Sequence, residues 1–127
     1  MKLNQVTVSA ANVGDAWRFY LKLGLIPIVD SRPSYVRLRS PNDDATLSVH
    51  EGQACIGTTV YFECEDLDAR VSELSATGIQ FTQLPKDQPW LWREAELFDP
   101  AGNRIVLFHA GKNRLDPPWR VQQPSTG

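Results

Sequence analysis

The 127 residues are 42% hydrophobic and 22% charged, a composition that is typical of one ordinary soluble domain. Folding at this length buries about two thirds of the unfolded chain's surface, which allows one core and excludes a second domain. Lys and Arg number 13 against 15 Asp and Glu, without any basic run, so we expect no nucleic-acid partner. No stretch approaches the ~18 apolar residues of a membrane span, and no signal peptide is apparent, which predicts a cytoplasmic protein without a membrane partner.

The two cysteines do not form a recognisable metal or redox pattern. Cys55 and Cys64 lie nine positions apart, without a CxxC pair and without histidines at ligand spacing. We therefore predict that both are free thiols.

The first strand and helix of the sequence recur 54 residues later. Residues 6–8 (VTV) match residues 60–62 (VYF), and residues 23–25 (LGL) match residues 77–79 (TGI) at the same spacing. The register continues without a gap for about twenty residues, which indicates two similar units within one domain.

The first unit predicts a strand, a helix and three further strands. Residues 3–9 alternate between apolar and polar, as a half-buried strand does. Asn12 is typical of a helix N-cap, and Gly24 is typical of a helix end. Three strand-like runs separated by turn-forming residues follow at residues 25–29, 35–39 and 45–50.

The second unit repeats this order. Residues 58–64 predict a strand, Asp66 begins a helix and Gly78 ends it. The strand-like runs that follow are residues 79–84, 92–98 and 104–109.

Each unit therefore reads β-α-β-β-β, which predicts an α+β fold of two tandem modules. Residues 1–110 form one domain, with module one at 1–54 and module two at 55–110. Residues 111–127 break the pattern with three prolines, so we predict an irregular, Pro-rich tail. In this tail Trp119 follows two prolines, and we expect it to pack on the protein surface or on a partner subunit.

Strand alternation places polar and aromatic side chains on the face opposite to the helices, where they would line an open, concave face. Such a face suits a ligand cleft. The alternative is the ordinary solvent-facing side of an antiparallel sheet. The candidate ligand-binding residues on this face are Gln5, Thr7, Arg37, Ser48, Tyr61, Trp92 and Phe108, and the candidate catalytic residues are His50, Glu94 and Glu96.

Two short motifs lie inside this repeat. Phe19-Tyr20 occurs late in the first helix, and residues 99–103 (DPAGN) precede the last strand. With the doubled module, they make residues 3–110 resemble the vicinal oxygen chelate superfamily of glyoxalases, bleomycin-resistance proteins and extradiol dioxygenases. The resemblance implies a half-open barrel around a ligand cleft, in a homodimer.

The resemblance also implies where a divalent metal would bind in the metal-dependent members. Those positions fall on Gln5, Ser48, Thr59 and Val106. Valine cannot coordinate a metal, and neutral hydroxyls are poor ligands, so we expect no standard metal site and no cofactor. A displaced divalent metal held by Gln5, His50, Glu94 and Glu96 stays open as an alternative.

Two functions follow from these residues. In the first, the concave cleft binds a small planar or acidic molecule, with Tyr61 and Trp92 as stacking walls and Arg37 gripping a carboxylate or phosphate. Arg37 is equally suited to a salt bridge with one of the glutamates. In the second, the protein is a lyase, isomerase or dioxygenase that uses His50 with Glu94 or Glu96 as acid and base. Neither reading describes a standard glyoxalase.

Overall fold

The computed structural model describes residues 1–54 and 57–121 of the chain. Cys55, predicted as a free thiol, and residues 122–127 of the predicted tail lie outside the described residues. Cys64 is a free cysteine, as predicted.

The described residues form eight strands and two α-helices in the predicted order. Module one consists of β1 (Gln5–Ala10), α1 (Val13–Leu23), β2 (Ile26–Ser31), β3 (Tyr35–Arg39) and β4 (Thr46–Glu51). Module two consists of β5 (Thr59–Glu63), α2 (Leu67–Ala76), β6 (Gln83–Asp87), β7 (Arg93–Phe98) and β8 (Arg104–His109).

The two modules have the same sheet topology. The strand orders are β1-β4-β3-β2 and β5-β8-β7-β6, in two separate four-stranded sheets. The first and last strands of each module pair in parallel, and the remaining pairs are antiparallel. Two parallel neighbours need a crossover connection. The predicted α+β fold of two tandem β-α-β-β-β modules is therefore confirmed, with sheets that do not close into a barrel.

Helix α1 begins and ends where the sequence predicts. The side chain of Asn12 accepts a hydrogen bond from the Asp15 backbone N–H at 2.9 Å. Gly24 follows the helix with φ +113°, a left-handed conformation that favours glycine. The buried side chains face the sheet at helical spacing; they are Val13, Ala16, Trp17, Tyr20 and Leu23.

Helix α2 also begins at its predicted cap, because the Asp66 side chain accepts from the Ala69 N–H at 3.2 Å. Its end differs slightly from the prediction. The helix stops at Ala76, and Thr77 is the C-cap, with its hydroxyl donating to the Leu74 carbonyl at 2.7 Å. Gly78 comes one residue later and adopts φ +97°.

Strand β6 begins later than the sequence predicts. Residues 79–84 were expected to form it, but it spans Gln83–Asp87. The backbone N–H of Ile79 still bonds the Leu74 carbonyl at 3.3 Å, so this segment completes the end of α2. Ile79 is buried there as an anchor under the helix, which explains its apolar character without a strand.

The helix-facing sides of both sheets contribute to one hydrophobic core, which includes Val36 and Leu38 from module one and Ala95 and Leu97 from module two. A second, smaller cluster lies on the other face of module two. It consists of Val106, Phe108 and Ala110, with Trp92 packed against them. The concave side of module two is thus partly apolar.

The tail is more regular at its start than predicted. Gly111–Arg114 form a 3-10 helix, and the Trp92 indole N–H donates to the Asn113 carbonyl at 3.2 Å. Trp119 is 57% exposed, so it does not pack closely on the rest of the described chain. Packing of Trp119 on a partner subunit stays a prediction.

Neither of the helices within residues 1–54 and 57–121 has the length and apolar character needed to cross a membrane.

Candidate functional site

Three predicted ligand-binding residues come together on the concave face of module two. The rings of Trp92 and Phe108 are stacked, with centroids 4.6 Å apart and planes 16° from parallel. Tyr61 presents its edge to both rings, at centroid distances of 6.1 and 5.7 Å. Phe108 is 4% exposed and Tyr61 is 47% exposed, so Phe108 is the floor and Tyr61 an accessible wall. We call these three residues the aromatic cluster.

Glu94 lies beside the aromatic cluster, because it is paired with Phe108 across β7 and β8. It is only 6% exposed. Its Oε2 atom accepts a hydrogen bond from the Trp90 indole N–H at 2.8 Å. A carboxylate has capacity for further donors, so Glu94 keeps free acceptor capacity within a largely apolar surrounding.

Trp90 was not identified from the sequence. It precedes β7 in a tight turn in which the Gln88 N–H donates to the Trp92 carbonyl at 2.7 Å. Leu91 in the same turn has φ +66°, unusual for a branched side chain. This backbone reversal brings the Trp90 indole back onto Glu94. The only sequence signal was the spacing of two tryptophans and a glutamate over five residues.

Glu96 has a different environment from Glu94. It accepts from the Thr82 hydroxyl at 2.7 Å and from Arg104 Nε at 2.6 Å. These two contacts, the Thr82 hydrogen bond first, hold the pKa of Glu96 below its ordinary value. Glu96 is therefore poorly suited to donate a proton.

On module one, two predicted residues, Arg37 and Ser48, lie together with Tyr35 on the concave face. The hydroxyls of Tyr35 and Ser48 are 2.7 Å apart, and Ser48 is fully buried. The Arg37 guanidinium lies over the Tyr35 ring at 5.9 Å. Arg37 Nε is buried and has no hydrogen-bond partner among the described residues. Because Ser48 is buried, its role is to hold the Tyr35 hydroxyl in place. The Arg37 Nε–H is a donor that needs an acceptor.

The alternative salt bridge between Arg37 and a glutamate does not form. The carboxylate of Glu94 is held by Trp90, and that of Glu96 by Arg104. No ion pair among the described residues includes Arg37. Arg104 was not identified from the sequence. Alternation places it on the same face as Val106, but does not reveal that it bonds Glu96 diagonally across the neighbouring strand.

Three further predicted residues lie at the margin of the concave faces. The Gln5 side-chain oxygen accepts from the Thr46 hydroxyl at 2.9 Å, and Thr7 is exposed. His50 is also exposed, and its Nδ1 atom lies 2.8 Å from the Glu51 carbonyl. In residues 1–54 and 57–121, no three His, Cys, Asp or Glu side chains are placed to hold a metal ion. Within the described part of this chain, His50, Glu94 and Glu96 do not form such a group, and a displaced divalent metal held by Gln5, His50, Glu94 and Glu96 stays a hypothesis.

Two β-α-β-β-β modules in tandem, with the same strand order in each sheet, define the vicinal oxygen chelate class of proteins. The chain belongs to the Glyoxalase/Bleomycin resistance protein/Dioxygenase superfamily, whose family model matches residues 2–107. No protein of curated function matches the chain in sequence.

Solved structures share the fold at low sequence identity. A glyoxalase/bleomycin resistance protein/dioxygenase from Nocardioides is 19% identical with a TM-score of 0.76, over 96% of this chain and 90% of that chain. Lactoylglutathione lyase from Agrobacterium tumefaciens is 16% identical with a TM-score of 0.73, over 85% and 92%. A bleomycin-binding protein in complex with bleomycin is 18% identical with a TM-score of 0.71, over 86% and 98%. At these identities the likeness establishes the fold alone.

The residues at the family's metal-ligand positions do not fit a metal ion. Val106 is fully buried hydrocarbon, and Ser48 is buried with its hydroxyl bonded to Tyr35. Thr59 lies 3.5 Å from Arg104 Nη1, a cation that disfavours a second cation nearby. Gln5 remains as a neutral oxygen donor. This donor set lacks any carboxylate or imidazole, so it does not match what divalent metals prefer.

Proposed function

We propose that this protein binds a small planar molecule on the concave face of module two, without a metal at the family's usual positions. The aromatic cluster is the observation that carries the proposal. Its floor is already stacked and buried, while Tyr61 remains accessible beside it. Rigid aromatic walls bind planar ligands with little loss of side-chain freedom, because the rings are held before the ligand arrives.

Arg37 is suited to bind an acidic group. That group belongs to the planar ligand, or to an acidic ligand that binds to module one alone. A buried guanidinium N–H without a partner costs free energy until an acceptor arrives. A carboxylate or phosphate would supply that acceptor, in the fork geometry that arginine favours. Tyr35, under the guanidinium and fixed by Ser48, holds the group in place.

The experiment is a titration followed by NMR, with the indole N–H signals of Trp90 and Trp92 as reporters and the Trp90 signal as the reporter in Trp92→Ala. Naphthalene-2-carboxylate is the planar acidic probe, 2-naphthol the planar neutral probe and cyclohexanecarboxylate the acidic probe that cannot stack. We expect the planar probes to shift the Trp92 signal and Trp92→Ala to weaken their binding by at least tenfold. Trp119→Ala is the matched control, since Trp119 is exposed outside the site. Equal binding of naphthalene-2-carboxylate to Trp92→Ala and the unaltered chain would contradict the proposal.

A catalytic role is the second candidate, and the burial of Glu94 favours it. A carboxylate with free acceptor capacity beside aromatic rings is a suitable general base for a lyase or isomerase. His50, the other candidate catalytic residue, is exposed and bonded to its own backbone neighbour. The catalytic proposal therefore depends on Glu94.

We propose a homodimer, as is usual in the superfamily. Among the described residues, no hydrogen bond or ion pair joins the Arg37 side of module one to the aromatic cluster. A second copy would allow a module-one face to meet a module-two face between chains. Sedimentation velocity at micromolar concentration tests this, and a single monomeric species up to 100 μM would contradict it.

A further inference from the structure

The two helix-to-turn contacts that join the modules are not equivalent. On one side, the Tyr20 hydroxyl of α1 donates to Asp99 at 2.7 Å, in the turn before β8. In that same turn, Asn103 Nδ2 donates to Asp99 at 2.8 Å and to the Ser9 carbonyl at 2.9 Å. Buried, hydrogen-bonded polar groups therefore occupy this junction.

A second junction lies between α2 and the turn before β4, and there the residues equivalent to Tyr20, Asp99 and Asn103 are all different. Leu74 of α2 lies at the position of Tyr20, since each precedes its helix-ending glycine by four residues. Thr46 and Arg104 are equivalent, because they pair with Gln5 and Thr59, the first residues of β1 and β5. Counting back from them, Pro41 is the equivalent of Asp99, and Ala45 is the equivalent of Asn103. None of these three side chains can form the hydrogen bonds of the first junction.

A cavity of about 310 Å³ occupies the second junction. That volume lies at the lower end of the range for small-molecule sites. Side chains from both modules line it, and most of them are hydrocarbon. They include Val6, Leu25, Leu47, Val60, Leu74 and Leu107.

The opening of this cavity is negatively charged. Asp43 and Glu63 line the cavity itself, and Glu65 and Glu73 line the depression that continues from it. Glu63 pairs with Arg114 and accepts from the Ala110 and Gly111 N–H groups, whereas Asp43 and Glu65 have no ion-pair partner among the described residues. Arg70 also lies there; its guanidinium donates to the Leu23 carbonyl at 2.7 Å and pairs with Glu73 at 3.1 Å, so the charges of Arg70 and Glu73 balance each other. Carboxylates at an exposed rim attract a cation at little desolvation cost.

We propose that this inter-module cavity is a second ligand site, which binds a small amphiphilic amine. The apolar body of the ligand packs among Leu47, Leu74 and Leu107, and its protonated amine lies at the rim near Asp43. Most of the apolar lining lies on the helix side of the sheets, and Tyr61 is the member of the aromatic cluster that also lines this cavity. It does not depend on the function proposed above.

The test compares three probes with one eight-carbon chain: octylammonium, octanol and octanoate. We expect octylammonium to bind with a Kd below about 1 mM and to shift the NMR methyl signals of Leu47, Leu74 and Leu107. Octanoate should bind at least tenfold more weakly, because like charges at the rim oppose it. Equal affinity for octylammonium and octanoate would overturn the proposal, as would no octylammonium binding.

Variants that fill the cavity test whether octylammonium binds there. Val6 is 39% exposed on β1, so Val6→Trp fills the cavity with a residue that strands tolerate. It should weaken octylammonium at least tenfold, whereas the matched control Ile28→Trp, an exposed strand residue outside the cavity, should not. Trp92→Ala should also leave octylammonium binding unchanged. If Trp92→Ala abolishes it, the amine occupies the aromatic cluster and the cavity proposal is wrong.

A surface variant covers the case in which Val6→Trp does not fold. Asp43→Asn with Glu65→Gln should weaken octylammonium about fivefold or more and leave octanol unchanged; an unchanged octylammonium affinity contradicts the role of the rim. Size-exclusion chromatography tests whether a second copy of the chain, and not a ligand, occupies the cavity. If Val6→Trp converts a dimer to a monomer and the unaltered chain binds no octylammonium, a second copy fills the cavity and the proposal is overturned.

Discussion

The Tyr20 hydroxyl donates to the Asp99 carboxylate at 2.7 Å, across 79 residues of sequence. Each residue belongs to one of the two motifs on which the family resemblance depends. The contact joins helix α1 of module one to the last turn of module two, and both residues are buried. The two motifs therefore act as one structural unit that joins the modules.

We expect Tyr20→Phe to lower the free energy of unfolding by about 1–3 kcal/mol, because it leaves a buried carboxylate with one donor fewer. Urea denaturation monitored by circular dichroism measures this. A change below about 0.3 kcal/mol would show that the remaining donors, from Ala101 and Asn103, satisfy Asp99.

The same contact predicts a dependence of stability on alkaline pH. Burial first, and then the charge of Asp99, raise the pKa of Tyr20 above its ordinary value of 10.0. The unfolded chain thus loses this proton more readily than the folded chain, so stability is retained below pH 10 and falls as the pH rises further. Tyr20→Phe should show a flatter decline between pH 9 and 11 than the unaltered chain. Parallel curves would contradict this.

Gly24→Ala should destabilise the protein by about 1–2 kcal/mol or more. The residue has φ +113°, and an added Cβ would lie 2.5 Å from Arg70 Nη2, the group that bonds the Leu23 carbonyl. Gly102→Ala is the matched control. It has φ +92° but open space around the added Cβ, so it reports the backbone strain alone. Equal losses in thermal denaturation would show that the Arg70 contact contributes nothing.

Glu96 predicts a dependence on acid pH. Its pKa is lowered from 4.5 by the Thr82 hydrogen bond and by Arg104, so its contribution is present above pH 4.5 and is lost as the pH falls below that value. Both partners of the ion pair are partly exposed, so the contribution is below ~1 kcal/mol. Glu96→Gln should reduce the slope of stability against pH between 3 and 5. An unchanged slope would show that other carboxylates cause the loss of stability at acid pH.

Glu94→Gln separates the two proposed functions. In a binding protein this substitution keeps the shape of the site and leaves affinity for naphthalene-2-carboxylate within a few-fold. In an enzyme that uses Glu94 as general base, turnover should fall by about 10²-fold or more. Trp90→Phe is the companion variant, since it removes the hydrogen bond to Glu94 and keeps an aromatic ring at this position.

Local signals in the sequence predict the elements of the fold well. Asn12, Gly24 and Asp66 have the roles that their residue types indicate, since a cap depends on the residue and its near neighbours. The inward positions of Val36 and Leu38 follow from strand alternation in the same way. Strand β6 was misplaced because Ile79 is apolar for another reason, burial at the end of α2.

The candidate site was less predictable, because its geometry depends on contacts between distant elements. Alternation placed Tyr61, Trp92 and Phe108 on one face, and their rings do meet. It gave no information on Trp90, whose position depends on a tight turn, or on the burial of Ser48. Arg37, Glu94 and Glu96 share a face in the alternation pattern, yet Arg37 bonds neither glutamate. Trp90 donates to Glu94, and Arg104 donates to Glu96.

The Asn103 side chain donates to the Ser9 carbonyl on β1, which is the outermost strand of its sheet. Outermost strands expose backbone groups that can recruit strands from other molecules, and such pairing leads to aggregation. A strand that approached β1 at Ser9 would first have to displace the Asn103 amide, which is itself held by Asp99. The inter-module turn thus protects the protein against self-association along this strand, and Asn103→Ala should increase aggregation on heating.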